Sequence, residues 1–219
     1  MPPESIRSKV DLKRLGIFLI VVALLILVLT FGPLYLKRWL WDLGLSRPDY
    51  AGQNSYLDEP TDVAVAKSPI AATVGPVSRD FGLMIRKIGV NVPIVKNVSG
   101  QNAKEYFSKL KGGVAHQEGS PLPDKNGNMV IFGHSSFVPG VLLTQYSDVF
   151  LLLDKLQKDD EIEIWYSGQK YLYSVSEVKQ VSKGSVEITK NTKDKRLTIF
   201  TCWPPGTDFK RLVVIAKPK

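Results

Sequence analysis

A chain of 219 residues holds one domain of ordinary size with accessory segments and is short for two. Its single cysteine excludes an intrachain disulfide framework and a multi-cysteine zinc site, so any special role for Cys202 is that of a lone thiol. The net charge of +8 comes from lysines scattered among acids, as in Lys155, Lys158, Asp159, Asp160 and Glu161, with no aromatic-basic motif. It reads as a solvated surface facing an anionic envelope, with no nucleic-acid partner.

Residues 1–14 form a short basic tail, and Leu15 to Leu36 then run without a charge, which is long enough to span a bilayer. A cleaved signal peptide has an apolar region of only about 7–15 residues leading to a small-x-small site. Here the run is longer and ends in Lys37, Arg38, Trp39 and Trp41, residues suited to the membrane interface. Residues 15–36 are therefore predicted to be an uncleaved transmembrane helix. Arg7, Lys9, Lys13 and Arg14 before the span, against Lys37, Arg38 and Arg47 after it, give a slight bias toward a cytoplasmic N-terminus. With no second span, the rest of the chain is expected to lie outside the cytoplasm, attached to the cell membrane by a single pass.

Residues 37–78 mix Pro48, Pro60, Pro69 and Pro76 with small and polar residues and read as an extracytoplasmic stalk or linker. Residues 79–219 have a different texture, with short strand-like runs broken by turn residues. The runs are 82–88, 92–95, 129–132, 161–166, 171–181, 197–201 and 212–216. EIEIWY and YLYSVSEVKQV alternate with the period of two that a half-buried strand requires, and Ser167-Gly168-Gln169-Lys170 between them is a hairpin turn. Helical candidates are Ala103 to Leu110 and the region from Val149 to Leu156. The expected domain is mainly β, closed or barrel-like, with one or two short helices.

An unpaired cysteine is by default a small buried hydrophobe. Three features set Cys202 apart. It ends the strand-like run TIFTC just before the turn-rich WPPGTD; its compartment would oxidise an idle thiol; and Arg211 follows nine positions later, at a spacing that lets two adjacent strands present both side chains together. A nucleophilic thiol needs a base or a positive neighbour. Of the two histidines, His134 ends the apolar strand MVIFGHSS, whereas His116 sits in the Gly/Pro-rich GVAHQEGSPLP and ranks second.

These residues resemble the sortase family of cysteine transpeptidases. The family's TLxTC strand corresponds to Thr198-Ile199-Phe200-Thr201-Cys202, and TCWPPGTDFKRLVV resembles the TCxPxG…RLxV form of the pilus-type and class D-like branches. KIGVNVPIV, GVAHQEGSPLP and GNMVIFGHSS resemble the family's early strands and its histidine strand, so the likeness extends from Phe81 to Ala216.

The resemblance implies an eight-stranded β-barrel with Cys202, His134 and Arg211 converging at one end, and Thr201 as a secondary contact to substrate or oxyanion. It implies partners as well: surface proteins or pilins with an LPxTG-like sorting signal, and an amine acceptor in the cell envelope. The thiolate would form a thioester with the sorting motif, and the amine would resolve it. The alternatives are the same acyl-enzyme resolved by water, making a processing protease, or an inactive membrane-anchored binding or scaffold domain. The DP-aromatic motif of the pilus-type inhibitory lid is missing from residues 41–80, and no second span follows the last strand, so no lid is expected.

No cofactor and no metal are expected. Asp124, Asn126 and Asn128 match the first ligand positions of an EF-hand loop, but Met129 and Ser135 stand where glycine and glutamate are required. DKNGN is read as a tight turn instead.

Overall fold

The computed structural model describes residues 12–46, 75–100, 103–136 and 144–219. The start of the basic tail and residues 47–74 of the expected linker lie outside the described residues. The chain divides into two compact units at Ser46.

The first unit is a single helix, α1 (Leu12–Asp42). It runs past 15–36 at both ends, because Leu12 to Arg14 and Lys37 to Asp42 have no helix breaker and continue the ladder. Its apolar side chains point outward all round, from Ile17 through Leu29 to Tyr35. A helix that is apolar on every side needs an apolar solvent. Lys13–Asp42 is long and apolar enough to cross a membrane, as an anchor or a signal sequence would.

The second unit is a closed barrel of eight strands: β1 (Phe81–Ile85), β2 (Val90–Val98), β3 (Val114–Gln117), β4 (Asn128–Phe132), β5 (Glu161–Tyr166), β6 (Gln169–Ser182), β7 (Arg196–Trp203) and β8 (Lys210–Pro218). Around the barrel their order is β1-β2-β3-β4-β7-β8-β6-β5, with β5 pairing back to β1. The pairs β2/β3 and β4/β7 are parallel. The first needs a crossover, supplied by α2 (Ala103–Lys109) and the 3-10 turn that follows it.

Several elements differ from the sequence reading. The first strand stops at Ile85, because residues 86–88 wind into a 3-10 turn that Gly89 ends in the left-handed region (φ 68°). The region around 149–156 is a series of turns closing in a 3-10 turn at 153–155, so α2 is the short α-helix among the described residues of this unit. His116, expected in a loop, lies on β3, opposite Ile131 of β4. The hairpin at 167–168 is a two-residue turn with Ser167 at φ 49° and Gly168 at φ 80°, the two positive angles that match the twist of the flanking strands.

DKNGN is indeed a turn, and Asn128 at its end is a buried peg. Its amide donates to the carbonyls of Ile188 and Lys190 (both 3.0 Å), and its oxygen accepts from the Thr198 hydroxyl at 2.7 Å. These bonds tie the β4/β7 pair to the loop between β6 and β7. Asn128→Ala would leave the buried Ile188 carbonyl and Thr198 hydroxyl, and the part-buried Lys190 carbonyl, without this partner. It is expected to cost about 2–4 kcal/mol, read as a lower urea midpoint with an unchanged slope.

Candidate active site

Register brings the site together. β4 and β7 run parallel with Phe132 opposite Phe200, so the residues two positions further on, His134 and Cys202, leave the barrel at the same end. β7 and β8 are antiparallel with Cys202 directly opposite Arg211. Strand order thus gathers three residues that the chain separates widely.

The segment after β4 is fastened in place by a row of hydrogen bonds. The Thr201 hydroxyl donates to the Gly133 carbonyl (2.8 Å), Ser135 Oγ to the Cys202 carbonyl (2.9 Å), and the Gly206 amide to Ser136 Oγ (2.6 Å). From the other side the Phe150 amide donates to the His134 carbonyl (2.9 Å). Gly133 has to be glycine: a Cβ there would come within 2.9 Å of the Phe150 ring. His134 is therefore held by backbone on both flanks, and its ring stacks on Phe107 (5.9 Å) and meets Tyr106 edge-on (6.0 Å).

A cavity of about 590 Å³ opens over these residues, lined by Tyr106, His134, Cys202, Asp208 and Arg211 among others. Its floor is aromatic, with Tyr106 stacked on Phe132 (5.4 Å) and Phe132 on Phe200 (5.5 Å). Burial has a direct electrostatic effect here. It raises the Cys202 thiol, and Asp208 adds to the rise while Arg211 and Lys183 oppose it. It also lowers the His134 imidazole. Both groups are thereby biased toward their neutral forms.

Asp208, Lys183, Tyr106, Ser135 and Ser136 were not singled out in the sequence. Asp208 stands three positions before Arg211, an acid-base spacing that could have marked it. Lys183 lies in an ordinary Lys-Gly turn and gives no such signal. The Asp208 carboxylate accepts from Arg211 Nη1 (2.5 Å) and pairs with Lys183, while Cys202 Sγ points at its Oδ1 (3.5 Å). Burial pushes the Asp208 carboxyl up, but the bonds from Lys183 and Arg211 outweigh it and hold the carboxyl below its ordinary range.

His116 belongs to a separate network. Its Nδ1 accepts from the Asn97 amide (3.4 Å), and Nε2 lies 2.9 Å from Ser120 Oγ and 3.2 Å from the Pro121 carbonyl. Ser120 Oγ donates to the Gln117 carbonyl, so it accepts from Nε2–H. That bonding suits a neutral imidazole, and burial accordingly lowers its pKa. His116 holds the β3–β4 connection and does not line the cavity.

The sequence model of the sortase domain family matches residues 83–219. Sortase D of Bacillus subtilis is 28% identical over 162 residues, covering 72% of this chain and 71% of that protein. Sortase A of Listeria monocytogenes is 26% identical over 135 residues, covering 62% of this chain and 54% of that one. Among solved structures, a sortase D5 transpeptidase of Clostridium perfringens superposes with a TM-score of 0.52 at 28% identity, over 64% of this chain and 78% of that one.

Both histidines are held below their ordinary pKa of 6.5 by burial. The unfolded chain then binds protons more readily than the folded one, so their contribution to stability is full above pH 6.5 and is lost as pH falls through the folded values. The urea midpoint should drop on acidification below about pH 6.5, and His116→Gln should flatten that dependence.

Proposed function

We propose, since this chain belongs to the sortase family of cysteine transpeptidases, that Cys202 is the nucleophile, His134 the acid and base, and Arg211 the oxyanion donor. The substrate is a protein bearing a C-terminal LPxTG-like sorting motif, and the product is that protein joined to an amine of a cell-wall precursor or a pilin lysine. The observation that carries the reading is the Cys202–Arg211 cross-strand pair with the His134 segment bonded to the same strand end.

The chemistry follows from the groups present. The Cys202 thiolate attacks a backbone carbonyl of the motif; a C–S bond forms and the carbonyl electrons move onto oxygen. Arg211 donates to that oxygen, a task suited to a permanently charged planar fork of N–H groups. When the tetrahedral intermediate collapses the peptide C–N bond breaks, and the His134 imidazolium gives its proton to the leaving amine. The incoming amine then attacks the thioester, His134 takes its proton, and the C–S bond breaks to restore the thiolate. The aromatic floor under Tyr106 and Phe132 excludes water and strengthens the Arg211 interaction. Thr201 lines the cavity and its hydroxyl donates to the Gly133 carbonyl, so it positions the His134 segment as well as serving as the secondary substrate or oxyanion contact expected for it.

Membrane attachment through α1, with the N-terminus cytoplasmic and the barrel outside, fits this role, because sorting-signal proteins and envelope amines are both found beyond the membrane. Resolution by water in place of an amine is the outcome that would make the protein a processing protease.

The full chain in detergent, incubated with a labelled LPxTG-type peptide, should form a conjugate only when a candidate amine is added. Cleavage that is independent of amine and yields no conjugate would overturn the transferase reading. Cys202→Ala and His134→Ala should each reduce turnover by at least about 100-fold, while His116→Gln retains activity. The reacting form pairs a thiolate with an imidazolium, yet burial raises the thiol and lowers the imidazole. The rate should therefore be bell-shaped in pH, with limbs belonging to the coupled pair.

A further inference from the structure

Of the groups that the proposed chemistry needs, two are directed at one carboxylate, that of Asp208: Arg211 Nη1 donates to Oδ1 at 2.5 Å, and Cys202 Sγ points at the same oxygen from 3.5 Å. A carboxylate oxygen between a guanidinium and a thiol has the charge and shape of the oxyanion that forms when the thiolate attacks a carbonyl. The other carboxylate oxygen is paired with Lys183, which also lines the cavity.

We propose that Asp208 is a built-in occupant of the peptide-carbonyl position, holding Arg211 and Cys202 in a resting state from which the arriving substrate displaces it. The proposal rests on the assignment of Cys202 and Arg211 as nucleophile and oxyanion donor.

The loop is built for such an exchange. On one side, Gly206 is fixed by its amide to Ser136 Oγ, and Thr207 is tied back to the Pro204 carbonyl by both its amide (3.0 Å) and its hydroxyl (2.8 Å). On the other side, β8 begins at Lys210. Between these anchors Asp208 is half-exposed and Phe209 is 77% exposed, so turning the carboxylate outward disturbs no core packing. Lys183 is also exposed and can follow Asp208, which therefore does not leave unpaired. Arg211 is mostly covered and loses one oxygen partner only as it gains another.

The exchange would also activate the nucleophile. The charged and titratable groups around the thiol are Arg211 from β8, Asp208 from the β7–β8 loop, Lys183 after β6, and Tyr106 from α2, with His134 after β4 across the cavity. Of these, Asp208 is the anion that disfavours the thiolate. Moving it away, with Lys183 following, leaves Arg211 as the cation facing Cys202, so binding of substrate and readiness of the thiolate are coupled through a single side chain.

The test uses the lone cysteine, since alkylation by iodoacetamide reports on Cys202 alone. Rates are measured on the full chain in detergent from about pH 6 to about pH 10, bracketing the range of a free thiol. Asp208→Asn removes the charge and keeps the shape, and Asp208→Ser removes both; thermal melting checks that each is folded. Both should alkylate about three- to tenfold faster than the parent at pH 7, with the pH profile moved downward. Their KM for the sorting peptide should fall without a loss of kcat. Unchanged or slower alkylation in the folded variants, or a raised KM, would overturn the proposal. Alkylation requires no peptide, so it judges Asp208 even if the parent proves unable to process an LPxTG-type substrate, an outcome that would count against the proposed function instead.

Discussion

The parallel pairing of β4 with β7 is the constraint on which the rest of the site depends. Asn128 to Phe132 lies alongside Arg196 to Phe200 in register, joined at the far end by the buried Asn128–Thr198 hydrogen bond and near the cavity by the stacked rings of Phe132 and Phe200. Because parallel strands point the same way, both leave the barrel at one end, and the next residues of each carry His134 and Cys202. A slip of one residue would turn Cys202 toward the opposite face of the sheet. The bonds from Thr201 to Gly133 and from Ser135 to the Cys202 carbonyl pin that register where it matters, outside the ladder itself.

Once the site is gathered, burial sets its electrostatics. The aromatic layer formed by Tyr106, Phe132 and Phe200 extends the core cluster of Val98, Leu110 and Ala115 up to the cavity floor. An apolar floor penalises charge, so the thiol and the imidazole both resist ionisation, and Tyr106 is likewise held in its neutral phenol form. Arg211 opposes that penalty and Asp208 reinforces it. Burial is the largest influence on the thiol, and Arg211, Lys183 and Asp208, all outside the core, adjust it in opposite directions. The fold thus leaves control of reactivity to a loop that can move without cost to the barrel.

The two histidines show how context separates identical side chains. On β3, His116 is enclosed by the Asn97 amide, Ser120 and Pro121, with every ring nitrogen satisfied. His134 lies beyond the end of its strand, held by its backbone, with its ring against Tyr106 and Phe107 at the cavity. Burial lowers both pKa values, so titration alone would not distinguish them. Placement does: one ring is locked into a strand connection and the other is presented to a cavity.

The sequence alone was enough to identify local features: the uncharged run that became α1, the period-two alternation of β5 and β6, the turn at Ser167-Gly168, and the TIFTC and MVIFGHSS strand ends. These are set by neighbours along the chain, through hydropathy, periodicity and turn chemistry. The nine-position spacing of Cys202 and Arg211 also suggested their pairing, because a short loop between antiparallel strands leaves few registers. Only the tertiary structure decided what depends on distant partners. β3 is only four residues long with glycines close to either end, too short to announce itself, and it forms because β2 and β4 flank it. Asn128 stood in the sequence only as the end of a tight turn, and its hydrogen bonds to Thr198 and to the carbonyls of Ile188 and Lys190 come from strands and loops far along the chain. Lys183 reaches Asp208 only because β6 and β8 pair along their length. Contacts closed by strand order across many residues leave no periodic trace in the sequence, and the barrel had to close before they existed.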